Sequence, residues 1–268
     1  MRPLLLSALS VLFLGAARPA PTAHRPLLDA AIERLVENGR HPDLRWPDLR
    51  DVQADLVRLY QRHGWAPVWQ VNDTLTTPAR TLVRILKEAE YRALDPADYD
   101  VSWFESQLEV ARILGSTTED SRARLDVGLS VAAARFATAL RRGRVNPTAL
   151  HVDFKLPIDS FDVVATLDSL SVSPWPGDVF RGLEPPFLQY WLLLASLTRY
   201  HALAQDSGLL TLPPMPRQLR PGSAYAGVPT LRRLLRLLGD DRDTLSAPII
   251  DTLYAGSVVD ALKRFQMR

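Results

Sequence analysis

Apolar positions in this chain recur at helical spacing far more often than they alternate. Val52, Leu56, Leu59 and Tyr60 fall at i, i+4, i+7 and i+8, one face of an amphipathic helix that Gly64 can end. Trp65-Ala66-Pro67-Val68-Trp69 follows, an aromatic stretch held extended by its proline. Thr77 offers an N-cap with Pro78 at the first helical position, and Leu82, Ile85, Leu86 and Ala89 predict a helix to about Tyr91. Leu94 to Asp100 reads as a turn, because Pro96 pushes Asp95 out of the helical region and aspartates bond to nearby backbone. Ser102 with Glu105 three positions on is a capping box, opening a helix that Gly115 closes.

The longest helix is predicted from about Glu119 to Arg142, with Leu125, Leu129, Phe136 and Leu140 toward the core and a stop at Gly143 and Pro147. Residues 146–186 are richer in prolines and turn formers, with one short helix near Phe161 to Ser169. A strong helix starts after Pro185-Pro186 and reaches about Gln205, carrying Leu188, Trp191, Leu192 and Leu197. From Gly208 to Gly227 proline and glycine replace periodicity, which reads as a linker or surface loop. Beyond it, Pro229 precedes a helical set, Leu231, Leu234, Leu235 and Leu238, that ends at Gly239. A last helix, capped by Ser257 with Asp260 at its third position, carries Val258, Leu262 and Phe265. The expected fold class is mainly α, with little strand. The expected divisions are 1–23 as a signal peptide, 24–207 as a helical domain, 208–228 as a linker and 229–268 as a partial small helical module.

The signal peptide is read from Arg2, the apolar run Leu4 to Leu14 and the small residues Gly15-Ala16-Ala17, with cleavage after Ala17, Ala20 or Ala23. Export to the periplasm or cell envelope follows as the expectation. Downstream there is no apolar run of the roughly 18 residues that a membrane span needs.

Charge changes this picture little. The formal charge is +2, from 32 basic and 30 acidic residues, and the leader holds Arg2 and Arg18 with no acid. Bases and acids interleave, as in Glu119, Asp120, Arg122, Arg124 and Asp126, so no stripe exists for tracking phosphates and nucleic acid is excluded as a partner. The absence of cysteine excludes disulfides, a lipid-anchoring cysteine, a thiolate metal site and a cysteine nucleophile.

Catalytic chemistry is sparse. His24, His41, His63, His151 and His201 are scattered, without the i, i+4 pairing of a helical zinc site, and read as surface or helix-end residues. Gly128-Leu129-Ser130 lacks the second glycine of a nucleophile elbow and lies inside a predicted helix. No Ser-x-x-Lys pair exists. Asp95, Asp98 and Asp100 lack the glycine and bidentate glutamate of a calcium loop, and Asp240, Asp241 and Asp243 read as a solvated loop. Glu105, beside Ser106, is the one candidate general acid, of the kind that lytic transglycosylases use on a glycosidic oxygen. As the capping-box partner of Ser102 it would sit close to solvent. No catalytic residue, metal site or cofactor is assigned.

Several segments, taken in order, resemble the scaffold domain of large L,D-transpeptidases that cross-link peptidoglycan. They are Leu59-Tyr60 with Trp65 to Trp69; Ala89, Leu94, Asp95, Pro96, Asp98 and Tyr99, although Ala93 stands where a glycine is usual; Leu125-Asp126 through Gly143-Arg144-Val145-Asn146-Pro147; and Tyr190 to Tyr200 followed by Leu219-Arg220-Pro221-Gly222. Pro229 to Gly239 and Val258 to Gln266, with Phe265-Gln266, look like the first two helices of a peptidoglycan-binding module whose glycine-rich continuation is missing. The resemblance implies peptidoglycan as a partner, together with a catalytic domain bearing a cysteine nucleophile that this sequence does not contain, so the chain reads as a non-catalytic scaffold region, a fragment. Two alternatives are a stand-alone peptidoglycan-binding envelope module and a lytic enzyme using Glu105. Of the motif residues, Trp69, Leu94, Pro96, Tyr99, Gly143, Arg144, Pro147, Phe265 and Gln266 carry the pattern. Gly143 is expected as a helix cap, Pro147 as a stop, Trp69 and Tyr99 as packing aromatics and Arg144 as a structural hydrogen-bond donor. Leu231, Leu262 and Phe265 are expected to be exposed, because half a module cannot bury its face.

Overall fold

The computed structural model describes residues 26–114, 118–144, 161–205, 211–215, 217–242 and 252–267. The signal peptide, His24, Gly115, Val145 to Pro147, His151, Gly208 and Asp243 lie outside them. Ten α-helices and two small two-stranded antiparallel sheets occur among the described residues, a mainly α fold as expected. They form two units, one from the described residues up to Glu88 with Asp95–Glu184, the other from Ala89–Leu94 with the residues from Pro185 on.

The first unit is built around α5 (Glu119–Arg142), which spans the expected residues. Thr118 caps it, accepting from the Ser121 N–H at 3.2 Å, and Glu119 and Asp120 face the positive end of the helix dipole. Arg141 and Arg142 complement the other end, where Gly143 takes φ +78° and its N–H returns to the Ala139 carbonyl. Most of α5 is buried. Ala132, Ala133, Ala134 and Ala137 keep its surface thin, which suits close packing of α1 (Pro26–Glu37) and α6 (Val163–Val172) against it. Position 128, inside the helix, is a glycine for a steric reason: a Cβ there would lie 3.0 Å from the Trp103 ring on α4 (Val101–Leu114). Leu129, Phe136 and Leu140 are buried as expected, and Leu125 is half-buried.

The other elements differ from the expectation in local ways. Helix α2 (Gln53–Arg62) ends before Gly64, which is left-handed as its role requires, but Trp65 is left-handed too rather than extended. Residues Gln70–Val71 (β1) and Thr74–Leu75 (β2) form an unpredicted hairpin whose turn residues, Asn72 and Asp73, both have positive φ, the type I′ pattern. Helix α3 (Thr77–Lys87) is capped one residue earlier than expected, by Thr76, whose extended backbone lets its hydroxyl accept from the Ala79 N–H. It also stops earlier, and Ala89–Arg92 forms a separate 3₁₀ turn.

The capping box at Ser102 does not form. Helix α4 begins at Val101, Asp100 turns left-handed ahead of it with a carbonyl that accepts from Trp103 and Phe104, and Glu105 goes to Lys87 instead. Helix α6 starts two residues later than expected, because Asp162 caps it by accepting from the N–H groups of Val164 and Ala165. A further helix, α7 (Pro176–Arg181), buries Phe180 edge-on against Phe136, which meets Tyr99 in the same way.

The second unit holds α8 (Leu188–Ala204), β3 (Ser223–Ala224), α9 (Val228–Leu238), β4 (Leu253–Tyr254) and α10 (Ser257–Met267). Its core is Tyr225, Val228, Leu231, Leu235, Tyr254, Val258, Val259 and Ala261, with Leu212, Leu219 and Leu262 packed against it. Leu231 is therefore buried rather than exposed. The expectation fails because β3 pairs with β4 and Tyr225 covers the helix pair. The residues read as a linker thus supply a strand and two core side chains, Tyr225 and Val228. Asp240 and Asp241 are likewise buried, not solvated: Arg232 and Arg236 approach the Asp241 carboxylate at 3.5 and 3.6 Å. Ser257 is the first residue of α10, and its hydroxyl accepts from Arg232. Helix α8 runs as predicted, yet none of its residues is buried.

Candidate functional site

Two polar arrangements in the first unit use residues singled out by the sequence. The first is sealed. Arg122, Asp126 and Ser130 stand at four-residue intervals on α5, hence on one face, and that face meets the Tyr60 ring and the Trp65 to Gln70 segment. The Asp126 carboxylate accepts from the Tyr60 hydroxyl at 2.8 Å, the backbone N–H groups of Val68 and Trp69 at 2.9 Å each, and Gln70 Nε2 at 3.1 Å. Ser130 Oγ accepts from Trp69 Nε1 at 2.8 Å and lies 2.9 Å from the Tyr60 hydroxyl. Burial pushes the Asp126 carboxyl above its usual range, against the pull of its four donors. Burial, then the charge of Asp126, drives the Tyr60 hydroxyl well above its own. Every member has a partner inside the network, so Ser130 is no free nucleophile and the cluster acts as a tie. Trp69 belongs here, fully buried.

The second arrangement is an open groove of about 300 Å³ whose lining includes Trp46, Asp51, Asp98, Tyr99, Arg135, Gly143 and Arg144. Three local features build it. The loop 41–47 is closed at its base by the Arg40 to Asp48 bridge and by the His41 N–H on the Pro47 carbonyl at 2.8 Å. Arg135, from α5, grips that loop through the carbonyls of Trp46 and Asp48 at 3.1 and 2.8 Å, and holds Asp51 with two further bonds at 2.8 and 2.9 Å. This leaves the Trp46 indole 52% exposed, with the Arg45 guanidinium 5.5 Å from its ring centroid. On the other wall Pro96 opens the 3₁₀ turn Pro96–Tyr99, capped by Asp95, which presents Asp98 and Tyr99. Arg144, just past the glycine stop of α5, reaches Asp98 Oδ2 at 2.8 Å. Burial pushes the Tyr99 hydroxyl up to about 12.

The fold thus brings together Tyr99, Gly143 and Arg144 from the sequence set, and adds Trp46, Asp51 and Arg135, which sequence reading missed. The signal for Trp46 was a lone tryptophan between Arg45 and Pro47 in a polar stretch, which no helical period could place. Leu94 is buried and lines no part of the groove; Phe265, 40% exposed, and Gln266 lie on α10 in the other unit.

Glu105 makes a 2.6 Å ion pair with Lys87 at an exposed position and lines neither this groove nor the cleft described below. His63 closes α2 as a helix-end residue and meets Asp168 at 2.7 Å. His41 departs from the expected surface position: it is buried, with Nδ1 accepting from the Asp43 N–H, Nε2 on the Arg124 carbonyl at 2.9 Å and the Trp103 ring edge-on. Among the described residues no group of three or more histidines and carboxylates could hold a metal, and no helix is long and apolar enough to cross a membrane.

No curated protein and no solved structure matches this chain. One family model does, described as the Scaffold domain, over residues 54–197. That span takes in the Asp126 tie and one wall of the groove, and exceeds half of the 268 residues. The chain belongs to the Scaffold domain family.

Proposed function

We propose that this chain is the non-catalytic scaffold region of an L,D-transpeptidase, exported to the cell envelope, where it holds peptidoglycan for cross-linking. One observation carries the reading. Residues from two motif segments of the transpeptidase resemblance, Asp98 and Tyr99 from one and Gly143 and Arg144 from the other, converge on one groove beside an exposed tryptophan. An indole face suits the C–H face of an amino-sugar ring, and the guanidinium groups of Arg45 and Arg144 suit carboxylates on peptide stems. The absence of cysteine agrees with a region that positions substrate and leaves acyl transfer to another domain.

The test is co-sedimentation of the purified chain with isolated sacculi at physiological salt. The wild-type chain is expected in the pellet, and Trp46→Ala or Arg144→Ala is expected to weaken binding on the order of tenfold, the effect of losing a central aromatic or arginine anchor. A wild-type chain that stays in the supernatant, or variants that pellet equally well, would overturn the reading. The cross-linking half is checked in cells: deleting the chain should deplete peptide cross-links made by L,D-transpeptidation, and an unchanged muropeptide profile speaks against it.

A further inference from the structure

A second cleft, about 560 Å³, opens in the first unit between the β1–β2 hairpin, α3, α4 and the start of α5. It shares no residue with the Trp46 groove. Its apolar lining is Leu75, Leu108, Ala111 and Leu125, and its polar lining includes Gln70, Thr74, Gln107 and Ser121. Three arginines, Arg80, Arg112 and Arg122, and two carboxylates, Asp73 and Glu119, line it. How these charges are engaged decides what the cleft can take. Arg112 is satisfied by Glu109, at 2.6 and 2.8 Å. Arg122 is 5% exposed; its Nε reaches Gln70 and its Nη1 reaches Asp73 and Glu119, while Nη2 has no hydrogen-bond partner among the described residues. Arg80 has no ion-pair partner among the described residues.

A buried guanidinium with one uncommitted nitrogen, a free arginine and apolar side chains in one cleft form a receptor for an anion attached to a small apolar body. Phosphate is a poor fit, because Asp73 and Glu119 would repel a second negative charge; a single carboxylate is the anion that Arg80, without an ion-pair partner among the described residues, can balance. The volume lies in the range of small-molecule pockets and accommodates about three small residues. We propose that this cleft binds a short peptide with small apolar side chains by its free carboxylate, held by Arg80 and Arg122. The alanine-terminated end of a peptidoglycan peptide stem has this chemistry, and to that extent the proposal rests on the reading above.

The probe is N-acetyl-Ala-Ala-Ala with a free C-terminus, titrated calorimetrically into the whole chain beside its C-terminal amide. The acid is expected to bind at least fivefold more tightly than the amide, with the advantage shrinking as salt is raised. Arg80→Ala should remove that advantage, Arg80→Lys should restore part of it, and Ala111→Trp, on an exposed helical position, should fill the cleft and abolish binding. Glu105→Gln, at an exposed position that lines neither the cleft nor the Trp46 groove, should leave the titration unchanged. Equal binding of acid and amide, no heat from either, or full binding by Ala111→Trp would overturn the proposal. Because no sacculus is involved, failure of sacculus binding and failure of the tripeptide are separate outcomes.

Discussion

Asp126 shows how much one side chain can organise when it is placed out of water. Its two oxygens take four donors from two parts of the sequence, Tyr60 and the run Val68 to Gln70, two of them backbone N–H groups at Val68 and Trp69 that no strand or helix satisfies. Replacing it with alanine leaves those donors buried and unmatched. The expected loss is on the order of 3–5 kcal/mol, seen as a lower urea midpoint at unchanged slope. A loss under about 1 kcal/mol would mean that water takes over the network. His41 sets a pH dependence in the same unit. Its ring is buried as the neutral form, with Nδ1 accepting, and burial lowers its pKa from 6.5. A lowered folded-state value means that the contribution is complete above pH 6.5 and is lost as pH falls through the window below it, at most about 1.4 kcal/mol per pH unit for one proton. His41→Gln should flatten the melting temperature between pH 7 and pH 5; an identical slope in the variant would remove His41 as the cause. Ala93 has the opposite character. It holds φ +58°, a conformation that strains any side chain, at the position where the transpeptidase pattern has glycine. Ala93→Gly is expected to raise stability by roughly 0.5–1 kcal/mol in the same denaturation assay.

At the scale of elements, what could be read in advance was whatever is written locally. Helix α5 is legible because its apolar spacing, Leu125, Leu129, Phe136 and Leu140, and its stop at Gly143 lie within the segment they define, while its cap, Thr118, emerges only from the structure. The departures from the expected boundaries are also local. Thr76 and Thr77 are both threonines before Pro78, and only the backbone decides which one caps. Ser102 and Glu105 have capping-box spacing, but Asp100 turns the chain first and Lys87, distant in sequence, claims the glutamate. The β1–β2 hairpin had a signal in Asn72-Asp73, muted by strands of two residues each. What could not be read is long-range. Asp126 and Ser130 look like ordinary polar interruptions of an apolar helix, because their partner Tyr60 is 66 and 70 residues away. Arg135 and Trp46 are 89 residues apart, and the groove exists only once the fold joins them.

For the whole molecule, each of the two units takes its stability from a different kind of core. The first combines a large apolar interior with the Asp126 tie, whereas the second rests on a few apolar side chains around Tyr225 and Tyr254. Small cores are marginal, so local opening is concentrated in the second unit. Helix α8 belongs to that unit. Its leucines and aromatics surround the whole helix, with Leu188 at 68% and Leu193 at 69% exposed, and Arg199 is the one arginine along it, with no lysine or carboxylate. Water must cage this surface, so its state follows the solvent. Sulfate and phosphate, which are excluded from protein surfaces, drive such a helix to seek cover, while urea relaxes it long before it unfolds the buried cores. The buffer thereby becomes part of the molecule's behaviour, and the salt that preserves the Asp126 tie is the same salt that makes α8 adhesive.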